Sequence, residues 1–194
     1  MTLGLVKEFA KKLARLLLGE YSAYYIYASP PEGFLASRAG TNETFRVAPV
    51  DEDAINSSDE ALIQAQLGYA GSGAHAYACF DGDHVVGICF YWFGTRYLKR
   101  NFWPLVDGEA KLVQIISLPE MRGRGVASML IESSCRDMMS RGFGRAYARI
   151  WHSNKPSLRA FERARWRRIA LVIELNPLRL SSPIRIRFGA KSLA

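Results

Sequence analysis

The segment Pro119-Glu120-Met121-Arg122-Gly123-Arg124-Gly125-Val126-Ala127 places two glycines and two arginines where apolar periodicity begins a helix. A helix start leaves its first N–H groups unpaired and carries the positive end of the macrodipole, and glycines there let an anion approach the backbone with no Cβ in the way. Arg122 and Arg124 add charge. The chemistry this suits is the holding of a phosphate or pyrophosphate, although a Gly-x-Gly at a helix start is also an ordinary strand-to-helix turn. A second element narrows the choice. Arg149-Ile150-Trp151-His152-Ser153-Asn154 ends an apolar strand, and Pro156 to Arg163 then begins a helix with proline at a favoured early position.

Together the two segments resemble the GNAT N-acetyltransferase family, whose phosphate loop reads Gln/Arg-x-x-Gly-x-Gly/Ala. Here that is Arg122-x-x-Gly125-x-Ala127, preceded by Ser117-Leu118-Pro119-Glu120 in place of the family's Val-x-Pro-Glu. The family's later Asn-x-x-Ala/Ser and aromatic-Glu pair read Asn154-x-x-Ser157 and Phe161-Glu162. The resemblance covers residues 110 to 175 and extends from Phe45 onward, where Phe45 to Ile55 looks like the family's first strand and turn; residues 1 to 43 match nothing in it.

The resemblance implies an α/β (α+β) fold: a mixed, mainly antiparallel sheet with helices on both faces and two central parallel strands that splay apart. It implies acetyl-CoA as acyl donor, bound by Ile115, Ile116 and Ser117 along the earlier strand, by Arg122, Gly123, Arg124, Gly125, Val126, Ala127 and Ser128 around the loop, and by Asn154, Ser157 and Phe161 from the second segment. The reaction implied is direct attack of a primary amine on the thioester, which needs an oriented amine, a route for its proton and a donor to the carbonyl.

Phe161 stands where the family often has a tyrosine that protonates the departing thiolate, and a phenyl ring has no proton to give. A nearby hydroxyl or His152 could substitute, although His152 also reads as a structural residue at a strand end. Glu109 is the first candidate base, because some family members place a glutamate close to this point of the central strand; strict spacing puts Lys111 there, and a solvated turn carboxylate in Asp107-Gly108-Glu109 is the competing reading. Arg165 replaces the glycine usual before Trp166.

The elements that must position these groups are legible as patterns. Ala127, Leu130, Ile131, Ser134, Cys135, Met138 and Met139 repeat at helical spacing up to Arg141-Gly142, where glycine suits a left-handed cap. Lys111 to Leu118 is a mostly apolar run suited to a buried strand. Ala74 to Phe80 and His84 to Phe93 flank Asp81-Gly82-Asp83, a hairpin signal. Tyr21 to Ala28, Arg145 to Trp151 and Arg168 to Leu175 read as further strands, Ile184 to Phe188 alternates as an edge strand would, and Ser57 to Gln66 reads as a helix. Leu3, Val6, Phe9, Ala10, Leu13, Leu16 and Leu17 form the stripe of an amphipathic helix. The expected organisation is therefore an N-terminal helix and extra strand over 1–43 joined to an acyltransferase domain over 44–194, one compact unit overall.

Composition agrees: 194 residues with 49% hydrophobic and 23% charged side chains suit one globular core. The formal charge of +8 is concentrated in residues 122 to 194, which hold 16 Lys and Arg against 4 Asp and Glu. That half would attract coenzyme A, a nucleotide-linked substrate, nucleic acid or an anionic membrane, yet no recognised nucleic-acid motif accompanies it. Cys79, Cys89 and Cys135 lack metal-ligand spacing and read as reduced core thiols of a cytoplasmic protein; no metal is expected.

The acceptor expected is a small primary amine, for instance an amino sugar or nucleotide-linked amine facing Arg96, Lys99 and Arg100. Two rivals stay open: transfer of a longer acyl chain at a membrane surface, where the basic first helix would lie, and a non-catalytic module that binds coenzyme A. Peripheral membrane contact or a homodimer through that first helix is compatible with its amphipathic stripe.

Overall fold

The computed structural model describes residues 20–31, 45–98, 102–176 and 184–189. The N-terminal helical stripe, Lys99, Arg100 and residues 177–183 lie outside these residues.

Among the described residues eight strands form one sheet: β1 (Glu20–Ala28), β2 (Phe45–Val50), β3 (Ala74–Asp81), β4 (His84–Trp92), β5 (Glu109–Ser117), β6 (Arg145–Trp151), β7 (Arg167–Asn176) and β8 (Ile184–Phe188). Their order across the sheet is β2-β3-β4-β5-β6-β1-β7-β8. Only β5 and β6 pair in parallel; every other neighbouring pair is antiparallel. β3 and β4 close a hairpin in which Asp81 faces His84 and Gly82 takes φ +60°, as the Asp-Gly signal requires. The outermost strand, β8, is exposed along its whole length, as its alternating pattern anticipates.

β1, read as an extra strand ahead of a domain starting at residue 44 in one compact unit, lies within the sheet, between β6 and β7. Its pairing explains the position: Tyr24 to Ala28 run beside Trp151 to Tyr147, and Glu20 to Ala28 run beside Asn176 to Arg167. Without β1, the inner edges of β6 and β7 would each carry unpaired backbone groups.

Of the segment read as a helix over Ser57–Gln66 only Ala61–Gln64 is helical (α2); a separate turn, α1 (Glu52–Asn56), precedes it and a 3-10 turn at Leu67–Tyr69 follows. Asp51 caps α1 early, its carboxylate accepting from the Ala54 N–H at 2.9 Å, and Glu60 is too extended to carry a helix through. After β4 comes the short helix α3 (Gly94–Tyr97). Two longer helices follow, α4 (Val126–Ser140) and α5 (Lys155–Arg163).

Helices cover both faces. On the first, α4 buries Val126, Leu130, Ile131, Ser134, Cys135, Met138 and Met139, close to the stripe read from periodicity. It is tied to the sheet through Tyr77 Oη, which donates to Asp137 at 2.7 Å, and through the Tyr91 and Ser134 hydroxyls at 2.9 Å. Gly87 of β4 lets it come close, since a Cβ there would meet Val126 Cγ1 at 2.8 Å and Ile116 O at 2.9 Å. On the second face, Ile55 and Ile63 of the short turns are buried, and Trp92 Nε1 donates to Tyr69 O at 2.8 Å. Further along this face Tyr24, Ile26, Trp92, Tyr97, Phe102, Tyr147 and Val172 form an aromatic-rich cluster. All three cysteines are free and buried. Among the described residues no helix is long and apolar enough to cross a membrane.

Candidate active site

β5 delivers the chain into a 3-10 turn at Pro119–Met121 and then into α4. Gly123 and Gly125 hold φ of +82° and +90°, and a Cβ built on either would meet nothing within 4 Å. The left-handed backbone is the conformation glycine enters at no steric cost, and the side from which a Cβ is missing is open. Gly125 is the N-cap of α4 without a side-chain hydrogen bond. The first capped amide is that of Met129, bonded to Gly125 O at 3.0 Å, so the amides before it form an anion-receptive end.

A cleft of about 720 Å³ opens onto this end. Ile115, Ile116, Ser117, Arg122, Gly123, Gly125, Val126, Ala127, Ser128, Asn154 and Ser157 all line it, so the structure brings together eleven residues of the expected donor site. Arg124 is turned elsewhere: its guanidinium lies 3.6 Å from the Asp81 carboxylate and stacks over Phe45. Sequence reasoning missed Leu62, Met121, Arg159 and Arg163 on the walls. Arg159 and Arg163 stand four apart on α5, a spacing that puts both on one helix face and could have signalled them.

The strands that frame the cleft part in the middle. The β5–β6 ladder runs from Glu109 opposite Arg145 to Leu112 opposite Ala148 and ends there. On the other side of β5 the register slips: Phe90 pairs with Gln114 but Tyr91 with Leu112, which leaves Val113 as a bulge. Bulge and parting coincide. A second cavity of about 190 Å³ lies at this point, bordered by Phe102, Leu112, Val113, Gln114, Arg149, Trp151 and Phe161. Ile115, Asn154 and Ser157 border both spaces. Asn154 is also the N-cap of α5, its side-chain oxygen accepting from the Ser157 N–H at 3.2 Å, so the Asn-x-x-Ser spacing serves the helix as well as the wall.

The residues read as catalytic lie apart from these spaces. Glu109 lines neither cavity; one carboxylate oxygen accepts from Tyr147 Oη at 2.8 Å and the other from the Val106 N–H at 3.0 Å. The hydrogen bond explains its place, since it ties the base of β5 to β6 and to the loop before it. His152 is exposed, and its ring nitrogen Nδ1 and backbone N–H both bond Ala23 O, which fixes the end of β6 to β1. Phe161 is buried, edge-on to Trp166 with centroids 5.0 Å apart, and borders the smaller cavity. Arg96, considered for an anionic acceptor, is spent on the carbonyls of Gly68, Ala70 and Ser72.

The second face holds an unusual buried amine. Lys111 is fully buried between the rings of Tyr97 and Phe102, with Nζ 3.8 Å from each centroid and donating to Trp103 O. Burial, and then the nearby Arg149 and Arg187, push its pKa down to about 6. Tyr24 is pushed up to about 12 by burial and by its hydrogen bond to Glu174.

The acetyltransferase (GNAT) family model matches residues 21–165, well over half of the chain. The chain belongs to the GNAT acetyltransferase family. Its fold is similar to that of a GNAT-family protein from Novosphingobium aromaticivorans, with 14% identity, TM-score 0.52, and 81% of this chain and 64% of the other covered. A GCN5-related N-acetyltransferase-like protein from Streptococcus suis shares 10% identity at TM-score 0.51, with 89% and 67% covered. A tandem GNAT protein from the clavulanic acid biosynthesis pathway shares 12% at TM-score 0.55, with 84% and 55% covered. The chain thus spans less than two thirds of the first and last of these structures. Comparison with curated proteins finds no match. The family match begins at residue 21, so it includes β1.

Proposed function

We propose that the protein transfers an acetyl group from acetyl-CoA to the primary amine of a small molecule by direct attack. The observation that carries this reading is the coincidence of three features: the open, capless end of α4, the parting of β5 and β6, and the Val113 bulge at the point of parting. The donor supplies a thioester. The glycine-flanked amides and Arg122, with Arg159 and Arg163 opposite, suit its phosphates, and the free edge of Ile115 to Ser117 suits an extended arm with amide groups.

In the transfer the amine nitrogen bonds to the acyl carbon, the C–S bond breaks, and the proton lost by the amine balances the charge of the thiolate. The chain's part is to align the two partners where the sheet opens and to aim a backbone N–H of the bulge region at the carbonyl oxygen. The positions of Glu109 and His152 leave the amine's proton to solvent, and a thiol of ordinary pKa near ~8.5 leaves as thiolate without an acid. Three buried, unpaired thiols favour a reducing compartment, and we place the reaction in the cytoplasm.

Calorimetric titration with acetyl-CoA, with desulfo-CoA and ATP as controls, tests the donor. One-site binding that ATP does not reproduce is the expected result, followed by acetyl transfer to members of an amine panel. Tight donor binding with no transfer to any amine would favour a module that only binds coenzyme A, the reading that the engaged Glu109 and the missing acid at Phe161 also suit.

A further inference from the structure

Arg149 is the first residue of β6 beyond the ladder, next to the point where Val113 bulges from β5. Its guanidinium lies over the rings of Tyr24, Phe102 and Trp151 at 5.2, 5.0 and 5.1 Å and borders the smaller cavity. Among the described residues no carboxylate stands within ion-pair distance of it. Glu174, whose carboxylate feels the charge of Arg149, is already occupied by other donors, as is Glu109 at the base of β5. Glu174 receives Arg185 Nε at 2.5 Å, Tyr24 Oη at 3.0 Å and Ser22 Oγ at 3.3 Å, and Glu109 receives Tyr147 and Val106. Arg187, stacked over Trp103 on the same face, adds further positive charge.

Aromatic faces hold a guanidinium without neutralising it, and its N–H edge stays available in the plane that matches a carboxylate. A partly buried cation at a cavity wall with no anion of its own is a receptor for one. The size of the space decides which anion. At about 190 Å³ the cavity is below the ~300 Å³ at which pockets for drug-sized ligands begin, too small for a nucleotide and sufficient for an amino acid.

Resting on the transferase reading above, we propose that the acceptor is an amine bearing a carboxylate within a few bonds of its nitrogen, an amino acid, and that Arg149 selects it by pairing with that carboxylate. The placement gives the pair a second use. A carboxylate anchored at the first residue of β6 beyond its ladder with β5 leaves the amine on the neighbouring carbon beside the bulge. The positive charges of Arg149 and Arg187 disfavour the ammonium form there, so the amine gives up its proton more readily.

The test uses product analogues, so that it reads recognition apart from turnover: N-acetylglycine and N-acetylphenylalanine against their carboxamides, titrated into the full chain loaded with coenzyme A. The wild type is expected to bind at least one carboxylate about tenfold or more tighter than its carboxamide, as a charge-assisted pair contributes, and Arg149→Met to bring that ratio close to one. Arg149→Gln serves should the methionine variant not fold. Equal binding of carboxylate and carboxamide by the wild type, binding of neither, or a preference that survives both substitutions would overturn the proposal. A carboxylate preference in a protein that acetylates no amine would leave Arg149's role standing and remove the transferase reading.

Discussion

The side-chain nitrogen of Lys111 sits 3.8 Å from the ring centroid of Phe102, and Phe102 is a wall of the cavity where the two parallel strands part. Lys111 thus props the segment that walls this cavity. Tyr97 works with it, donating to Trp103 O at 2.6 Å and accepting from the Phe102 and Trp103 amides at 2.9 Å. Because Tyr97 already satisfies the Trp103 carbonyl, the lysine nitrogen is dispensable there while its burial is not free.

Its pKa falls from 10.5 to about 6, and the sign of the effect follows. Between those values the unfolded chain binds a proton that the folded chain does not, so this group makes stability climb as pH rises through the window, with the full penalty below about 6. Lys111→Met should abolish that climb and unfold at higher denaturant than wild type at pH 7. Urea melts at pH 6, 7.5 and 9 check it: parallel stability profiles for the two proteins would show that Lys111 is not the titrating group.

Glu109→Gln separates an anchor from a base. The amide keeps a hydrogen-bond acceptor for Tyr147 or Val106 but loses the charge, so a loss of about 1 kcal/mol in stability is expected, with kcat nearly level from pH 6 to 9. A fall in kcat that deepens toward low pH, with the fold intact, would restore Glu109 as the proton acceptor.

Gly125→Glu would send a side chain and a negative charge from the left-handed cap into the donor cleft. No protein atom lies within 4 Å of the new Cβ, so a folded protein is expected with acetyl-CoA affinity reduced about a hundredfold or more, an effect of ~3 kcal/mol. Unchanged affinity in the folded variant would mean that the donor phosphates lie elsewhere.

How much of this was legible in advance depended on how local each signal is. The α4 stripe, the Asp81-Gly82-Asp83 turn and the alternation of β8 are written in neighbouring residues, and each is found where the pattern puts it. The insertion of β1 between β6 and β7 is not, because its partners, such as Trp151 for Tyr24 and Asn176 for Glu20, lie more than a hundred residues away and any apolar strand could fill that gap. Side-chain direction was equally hidden. Arg122 and Arg124 read as a pair in the sequence, but a salt bridge to Asp81 across the hairpin draws Arg124 off the cleft. Arg149 read as one more residue of a strand, because its significance rests on where the ladder stops.

Arg165 is the non-glycine residue with positive φ among the described residues, at +61°, where the family usually carries glycine. The reason is the end of α5. Arg165 N–H bonds Glu162 O at 3.0 Å and Trp166 N–H bonds Phe161 O at 2.9 Å, which is the Schellman closure, with Trp166 packed edge-on against Phe161 as its apolar contact. A left-handed residue at this point is required, and a Cβ there costs roughly 1–2 kcal/mol, part of which glycine's extra freedom in the unfolded chain returns. Arg165→Gly should therefore stabilise the protein by up to about 1 kcal/mol, a rise of roughly 2–4 °C in Tm for a chain of this size. Arg165→Val should do the reverse, since a β-branched side chain tolerates that conformation least. Thermal melts of the two variants decide the matter: if glycine lowers Tm, the arginine side chain contributes more to the turn than its backbone strain removes.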